Sequence, residues 1–182
     1  MKLFNGFTEE RLNHLIQNHL GRSLGLSGNG NVVELGEDYV IKFLLKRDDD
    51  FVALQALQDS IYTPTLYAYV EDNYVVMEKV KGLPLGEYLK LHKALPENID
   101  VLIEDLIRDY GKRGWQLPDL KMDEHIFWVF DTNRIKYIDF GVMDNFAVSM
   151  EKYPDSYFRE IQEQVDEALD ELNQARKLGF FP

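Results

Sequence analysis

The stretch IKYIDFGVMD, Ile135 to Asp144, decides how the whole chain is read. A short apolar run ends in an aspartate, a phenylalanine and a glycine. Two explanations compete for that ending. In one, Asp139 and Gly141 simply turn the chain, since aspartate bonds nearby backbone and glycine reaches positive φ without strain. In the other, the strand tip presents a carboxylate to a cation, because hard divalent ions take oxygen ligands. The rest of the sequence has to choose between them.

Composition sets wide bounds. The chain has 182 residues, 45% of them hydrophobic, enough to bury a core as one ordinary domain or two small lobes. Cysteine is absent, which excludes disulfides and thiolate metal sites and points to a reducing compartment. No apolar run of about 18 residues occurs, and the first residues lack a leader pattern. A cytoplasmic protein with no membrane partner is therefore expected. The net charge of −12 repels phosphate backbones from the molecule as a whole, so nucleic acid is not an expected partner. A local basic patch can still hold one phosphate.

Local patterns divide the chain. Thr8 to Leu20 reads as a helix: Thr8 can cap it, Glu9 and Glu10 suit its positive end, Leu12, Leu15, Ile16 and Leu20 share a face, and Gly21 stops it. Leu24 to Leu45 reads as two or three antiparallel strands punctuated by glycine. Asp48 to Leu57 is helical, with Phe51, Leu54 and Leu57 inward and Asp48 to Asp50 at its positive end. Two more strands follow, joined at Glu71 to Asn73. Gly82 and Pro84 break both periodicities and mark a joint at Lys81 to Pro84. Beyond it, Ile99, Leu102, Ile103, Leu106, Ile107 and Tyr110 make the clearest helix, ended by Gly111 and Gly114. HIFWVF and IKYIDF form a hairpin around DTN. Ser156 to Leu178 is a last helix, with Phe158, Ile161, Val165, Leu169 and Leu172 inward and Gly179 as its stop. Trp115, Phe127 and Trp128 read as core aromatics, and the terminal FFP docks on the body. His14 and His19 read as surface residues on different helix faces. The fold class is α+β, with an N-terminal lobe over 1–80 on a small antiparallel sheet and a mainly helical C-terminal lobe over 81–182.

Four features of this layout could serve a nucleoside triphosphate. SGNGNVV, Ser27 to Val33, lies between two strands, and its glycines let backbone N–H groups approach phosphates. Lys42, in YVIKFL, puts a positive charge on the adjacent strand. DLKMDEHIFW, Asp119 to Trp128, follows the long helix with an aspartate able to orient an attacking hydroxyl. Asp139 can hold Mg2+ against phosphate oxygens. Each alone has a plainer explanation: a hairpin turn, a solvated strand lysine, a helix cap at Asp119, a packed or surface histidine at His125. Their order and intervals favour a joint site.

In that order the motifs resemble the eukaryotic-type protein kinase fold and its compact atypical and small-molecule relatives, over Leu24 to Asp144. VIK, ending at Lys42, resembles the strand-lysine motif. DLK, Asp119 to Lys121, resembles the catalytic loop, DFG is complete, and VVMEKVKG, Val75 to Gly82, resembles the hinge between lobes. The resemblance implies a two-lobed kinase-like fold with a truncated C-terminal lobe. It also implies ATP with Mg2+ or Mn2+, and a protein or small-molecule hydroxyl as acceptor. By the same likeness Gly28 and Gly30 cradle phosphates and Lys42 contacts them. Asp119 is the catalytic acceptor, Lys121 steadies the transferred phosphoryl group, and Asp139 binds the metal. Met77 sits behind the adenine, with the backbone of Glu78 to Val80 at its edge.

The departures are as informative. Val33 stands where a third glycine belongs. Asp50 is the residue offered to pair with Lys42, one methylene shorter than the family's glutamate. Leu117 and Pro118 replace the supporting pair before the catalytic aspartate. Where the family has a metal-binding asparagine, one register gives Glu124, and a register with one inserted residue gives His125. The His125 register continues the following strand, whereas Glu124 offers the oxygen a hard cation prefers. One long helix and a connector follow Gly141, so the helices that dock peptide substrates are mostly missing. Retention of Lys42, Asp119, Lys121 and Asp139 favours a minimal Ser/Thr protein kinase. A small-molecule kinase for a cationic acceptor and a nucleotide-binding pseudokinase are the alternatives.

Overall fold

The computed structural model describes residues 1–27, 30–44, 50–118 and 120–182. β1 (Lys2–Leu3) and α1 (Glu9–Asn18) lead into β2 (Leu20–Ser27), β3 (Gly30–Leu35) and β4 (Tyr39–Leu44). Then come α2 (Asp50–Ala56), β5 (Leu66–Val70) and β6 (Tyr74–Glu78). The second half holds β7 (Leu83–Pro84), α3 (Leu85–His92), α4 (Ile99–Lys112), β8 (Trp115–Gln116), α5 (Met122–His125), β9 (Ile126–Val129) and β10 (Arg134–Tyr137). A 3-10 turn at Phe140–Val142, β11 (Asp144–Asn145), α6 (Ala147–Lys152) and α7 (Pro154–Leu178) complete the chain.

The architecture is α+β. Six strands form one antiparallel sheet in the order β1-β5-β6-β4-β3-β2. Its central strands are apolar on both faces, because both faces are covered. Tyr39, Ile41, Val76 and Leu35 join Phe7 and Leu12 on the α1 side. Val40, Val75 and Met77 point the other way, into a larger cluster. Side chains alternate across a strand, so Lys42 falls on the Val40 side. It is 6% exposed, which removes the reading of a solvated strand lysine.

The larger cluster is continuous across both halves of the chain. Phe51 and Leu54 of α2 are buried in it together with Ile103, Tyr110, Phe140 and Leu172. Thr63 and the Tyr110 hydroxyl hydrogen-bond across it at 2.8 Å. α4 and α7 pack closely at Gly111, where an added Cβ would lie 2.8 Å from Ile161 Cδ1, and the Tyr157 hydroxyl donates to the Gly111 carbonyl at 2.8 Å. Burial pushes that Tyr157 hydroxyl up to about 12. Among the described residues, no helix is long and apolar enough to cross a membrane.

Several expectations are corrected. The first helix ends at Asn18, and Leu20 and Gly21 belong to β2, where Leu20 pairs with Leu35 and is 44% exposed. Cross-strand pairing overrides the helical phase there. The chain turns back at His19, so the exposed His14 and His19 rings come within 5.4 Å. Gly111 does not end α4 but lies inside it, as the contact residue for α7, and Gly114 at φ +79° makes the turn. The sequence reading missed α3 and the edge strand β1. Of α3's apolar residues Leu85, Tyr88, Leu89 and Leu91, only Leu85 and Leu89 are buried, and they follow Gly82 and Pro84, which read as a joint. His125 closes α5 rather than opening a strand, and β10 stops at Tyr137, two residues before Asp139. α7 starts at Pro154, leaving Phe158 exposed and Leu169 half-buried, with Tyr157, Ala168 and Ala175 turned inward instead. Trp115 and Trp128 are buried, whereas Phe127 is only half-buried. Phe181 packs on the core while Phe180 is exposed.

Candidate functional site

The β9–β10 hairpin pairs Ile126 with Tyr137, which draws together the residues just outside it. The Ile138 N–H donates to the His125 carbonyl at 3.1 Å. One step further, His125 Nε2 lies 3.5 Å from Asp139 Oδ2, with the two side chains 14% and 29% exposed. Asp139 precedes the 3-10 turn but makes no side-chain cap to it. The turn explanation therefore does not account for the carboxylate. Among the described residues its ionic partner is the His125 imidazole. His125 Nδ1 is buried and has no hydrogen-bond partner there. Glu124, the other register, is exposed. The two alternatives thus separate in space, His125 toward Asp139 and Glu124 toward solvent.

Lys121 starts this segment under strain. Its φ of +26° and ψ of 68° lie where side chains other than glycine, asparagine and aspartate are disfavoured. The strained peptide closes α5, since the Lys121 carbonyl accepts from the N–H groups of Glu124 at 3.1 Å and His125 at 2.8 Å. Asp119 lies outside the described residues. On either side of it in sequence, Leu117 is buried and Leu120 packs on the main core.

On the sheet, Gly30 sits opposite both Ser27 and Leu44. A Cβ there would lie 2.4 Å from the Phe43 carbonyl oxygen and 3.3 Å from Lys42 Cε. No side chain fits, so Gly30 brings bare backbone against the Lys42 side chain. Gly28 lies outside the described residues. Lys42 itself pairs with Val32 on one side and Val75 on the other. α2, which begins at Asp50, packs both against β5 of the sheet and against the turn after Asp139. The Asp50 side chain lies outside the description.

The hinge-like segment is more occupied than the sequence suggested. Met77 is buried opposite Val40. The Glu78 N–H donates to the Thr65 carbonyl at 2.8 Å, and the Lys79 N–H to the Asp38 carbonyl at 2.9 Å. Only the Val80 N–H of the three has no partner among the described residues. The Glu78 carboxylate accepts from the Thr65 N–H, the Thr65 hydroxyl and Lys136 Nζ, the last at 2.6 Å, so it ties β6 to β10. Lys81 pairs with Asp38, and the ammonium beside it holds the Asp38 carboxyl below its usual range.

No family model matches the chain, and no curated protein matches it.

Whether the donors suit a divalent cation can be judged from their chemistry. An imidazole nitrogen and a carboxylate oxygen facing each other at 3.5 Å are near the spacing of adjacent ligands on one ion. Among the described residues, no three His, Asp or Glu side chains converge to hold a metal. That does not suit a closed structural site. It suits an ion that completes its shell with water and substrate phosphate oxygens. Among the described residues His125 has no acceptor for its second ring nitrogen, which metal-bound histidines usually have, so of the two groups the Asp139 carboxylate has the chemistry better suited to a hard cation.

Proposed function

We propose that the chain is an ATP- and Mg2+-dependent phosphotransferase on a two-lobed, protein-kinase-like plan. One observation carries this reading: Asp139 is a half-buried carboxylate that caps no turn and faces His125 just past the hairpin. Three others support it. Lys42 is buried on the inward face of a central strand. The glycine strand β3 and the hinge strand β6 flank that strand on either side. α2 packs on the turn that follows Asp139.

The roles follow from charge and reach. The Lys42 ammonium attracts the nucleotide phosphates, with Gly30 backbone alongside. The Val80 N–H remains to bond the base. Asp139 is the ligand for a divalent ion, which when bound neutralises charge on the phosphate oxygens. His125 orients the Asp139 carboxylate. Asp119 accepts the proton of the acceptor hydroxyl as its oxygen bonds to the γ-phosphorus and ADP leaves. Lys121 balances charge on the transferred group.

A second reading, a nucleotide-binding pseudokinase, draws on His125, which stands where an oxygen ligand would serve a hard cation better. Phosphate transfer and ATP hydrolysis under Mg2+ and Mn2+, compared with Asp139→Ala and Asp119→Ala, decide between them. Turnover by wild type alone supports the phosphotransferase. Equal background in all three sinks it. Thermal stabilisation by ATP with Mg2+ but no turnover would establish the second reading, since a ligand of the folded state raises the melting temperature.

A further inference from the structure

On a continuous helix His14 and His19, five residues apart, would point about 140° away from each other. The helix does not continue. α1 closes at Asn18, and His19 leaves it at φ −133° and ψ 18° to lead into β2. Both backbone polar groups of His19 are tied down. Its N–H donates to the Leu15 carbonyl at 2.8 Å, and its carbonyl accepts from the Gly36 N–H at 2.9 Å. Leu12, buried under α1, anchors the turn on which His14 stands. The outcome is two imidazole rings with centres 5.4 Å apart and planes inclined at 55°. Both residues are exposed, so burial does not hold the rings together.

Their spacing is that of two ligands on one ion. Imidazole nitrogens bind Zn2+ at about 2.0–2.1 Å, which puts two ring centres on one tetrahedral ion roughly 5 Å apart. With the backbone fixed, only rotation about exposed side-chain bonds is left to aim the nitrogens. Asn18 supplies the next shell. Its Nδ2 donates to the His14 carbonyl at 2.9 Å and lies 3.3 Å from His14 Nδ1. That contact occupies the Nδ1 side of the ring and leaves Nε2 for an ion. Once Nε2 binds a metal, Nδ1 carries the ring proton. A half-turn of the Asn18 amide, at the cost of its bond to the His14 carbonyl, then presents Oδ1 as the acceptor. Among the described residues no third His, Asp or Glu joins the pair. Two imidazoles completed by water disfavour Mg2+ and Ca2+, which take oxygen ligands, and favour Ni2+, Cu2+ and Zn2+.

We propose that His14 and His19 form a surface site for one transition-metal ion of the Ni2+, Cu2+ and Zn2+ class, held by a ring nitrogen from each. The ion bridges the end of α1 to the start of β2. The site needs neither a nucleotide nor Asp139, so it stands apart from phosphoryl transfer.

The test is calorimetric titration of the untagged chain with Ni2+, without nucleotide and in excess Mg2+, which occupies sites built of oxygen alone. The chain has four histidines, so His14→Gln and His19→Gln are compared with His92→Gln, an exposed histidine on α3. Chelation by two rings makes each of them necessary. One Ni2+ per chain, bound at least about tenfold more weakly by each of the first two variants and within about twofold of wild type by the third, supports the site. No binding by wild type overturns it. Weakening in only one of the two variants also overturns it, since one ring would then hold the ion. Equal weakening in His92→Gln does the same, because binding would be diffuse. Asp139→Ala is titrated alongside: retained binding supports the site, and lost binding overturns it by placing the ion at His125. If a histidine variant does not fold, electron paramagnetic resonance of Cu2+ on wild type is read in its place. Two coordinated imidazole nitrogens then support the site, and fewer overturn it.

Discussion

The glycine strand and the segment from Lys121 to Asp139 both contribute to the proposed nucleotide site, yet the fold treats them differently. Gly30 is demanded by packing alone, because any Cβ would strike the Phe43 carbonyl. Glu78 is likewise used by the fold, tying β6 to β10 through Lys136. The other segment carries costs that the first does not. Among the described residues, Lys121 is held at positive φ, His125 Nδ1 is buried without a hydrogen-bond partner, and Asp139 makes no side-chain cap. A residue that packing already explains is weak evidence for chemistry. A residue that strains or desolvates the fold without structural return is stronger evidence, and such residues concentrate at functional sites.

The largest effect that could break this contrast is at Asp139. Asp139→Ala should lower phosphate transfer by at least about 100-fold, the usual scale for losing a principal electrostatic contributor. Its melting temperature should stay within about 2 °C of wild type, because it anchors no cap. A variant that unfolds early and loses activity only in proportion would make Asp139 a structural residue.

Gly30→Ala should show the opposite signature. The obstacle is backbone, so strands must shift, at about 1–3 kcal/mol for an overpacked site. For a chain of this size that lowers the melting temperature by roughly 3–10 °C. Gly111→Ala gives the scale, since its obstacle is the flexible end of Ile161 and should cost less. Equal losses at both glycines would remove the packing argument for Gly30.

Much of this layout was legible in the sequence because it depends on short-range pattern. The central strands YVIKFL and YVVME were plain from their apolar runs, and α4 and most of α7 from helical spacing. Errors came where tertiary contact decides. Gly111 looked like a helix stop because nothing local announces Ile161 fifty residues later. Leu20 followed helical phase but was taken by Leu35 across the sheet. At the candidate site the residue types were legible but their relations were not. Which of Glu124 and His125 turns toward Asp139 depends on α5 closing at His125, one residue before the strand. The occupied N–H groups of Glu78 and Lys79 depend on partners at Thr65 and Asp38.

Lys121 offers a smaller and sharper test. Asparagine tolerates left-handed backbone better than lysine. Lys121→Asn should therefore gain up to about 1 kcal/mol by chemical denaturation while phosphate transfer falls. A variant that loses both stability and activity would place the strain in the service of the fold.

The smallest effect lies on α7, at Glu171. Burial and Asp123 raise its carboxyl above the ordinary range, so the folded chain binds that proton more tightly than the unfolded one. The destabilisation by its charge is then complete at neutral pH and fades as pH falls through the raised value. Glu171→Gln removes the charge permanently. At pH 7 it should melt about 1 °C above wild type, and the two curves should converge as pH falls into the carboxylate range. A variant that melts lower at pH 7 would instead give Glu171 a cationic partner within the fold. Glu171 would then join Gly30 as a residue that the fold itself explains.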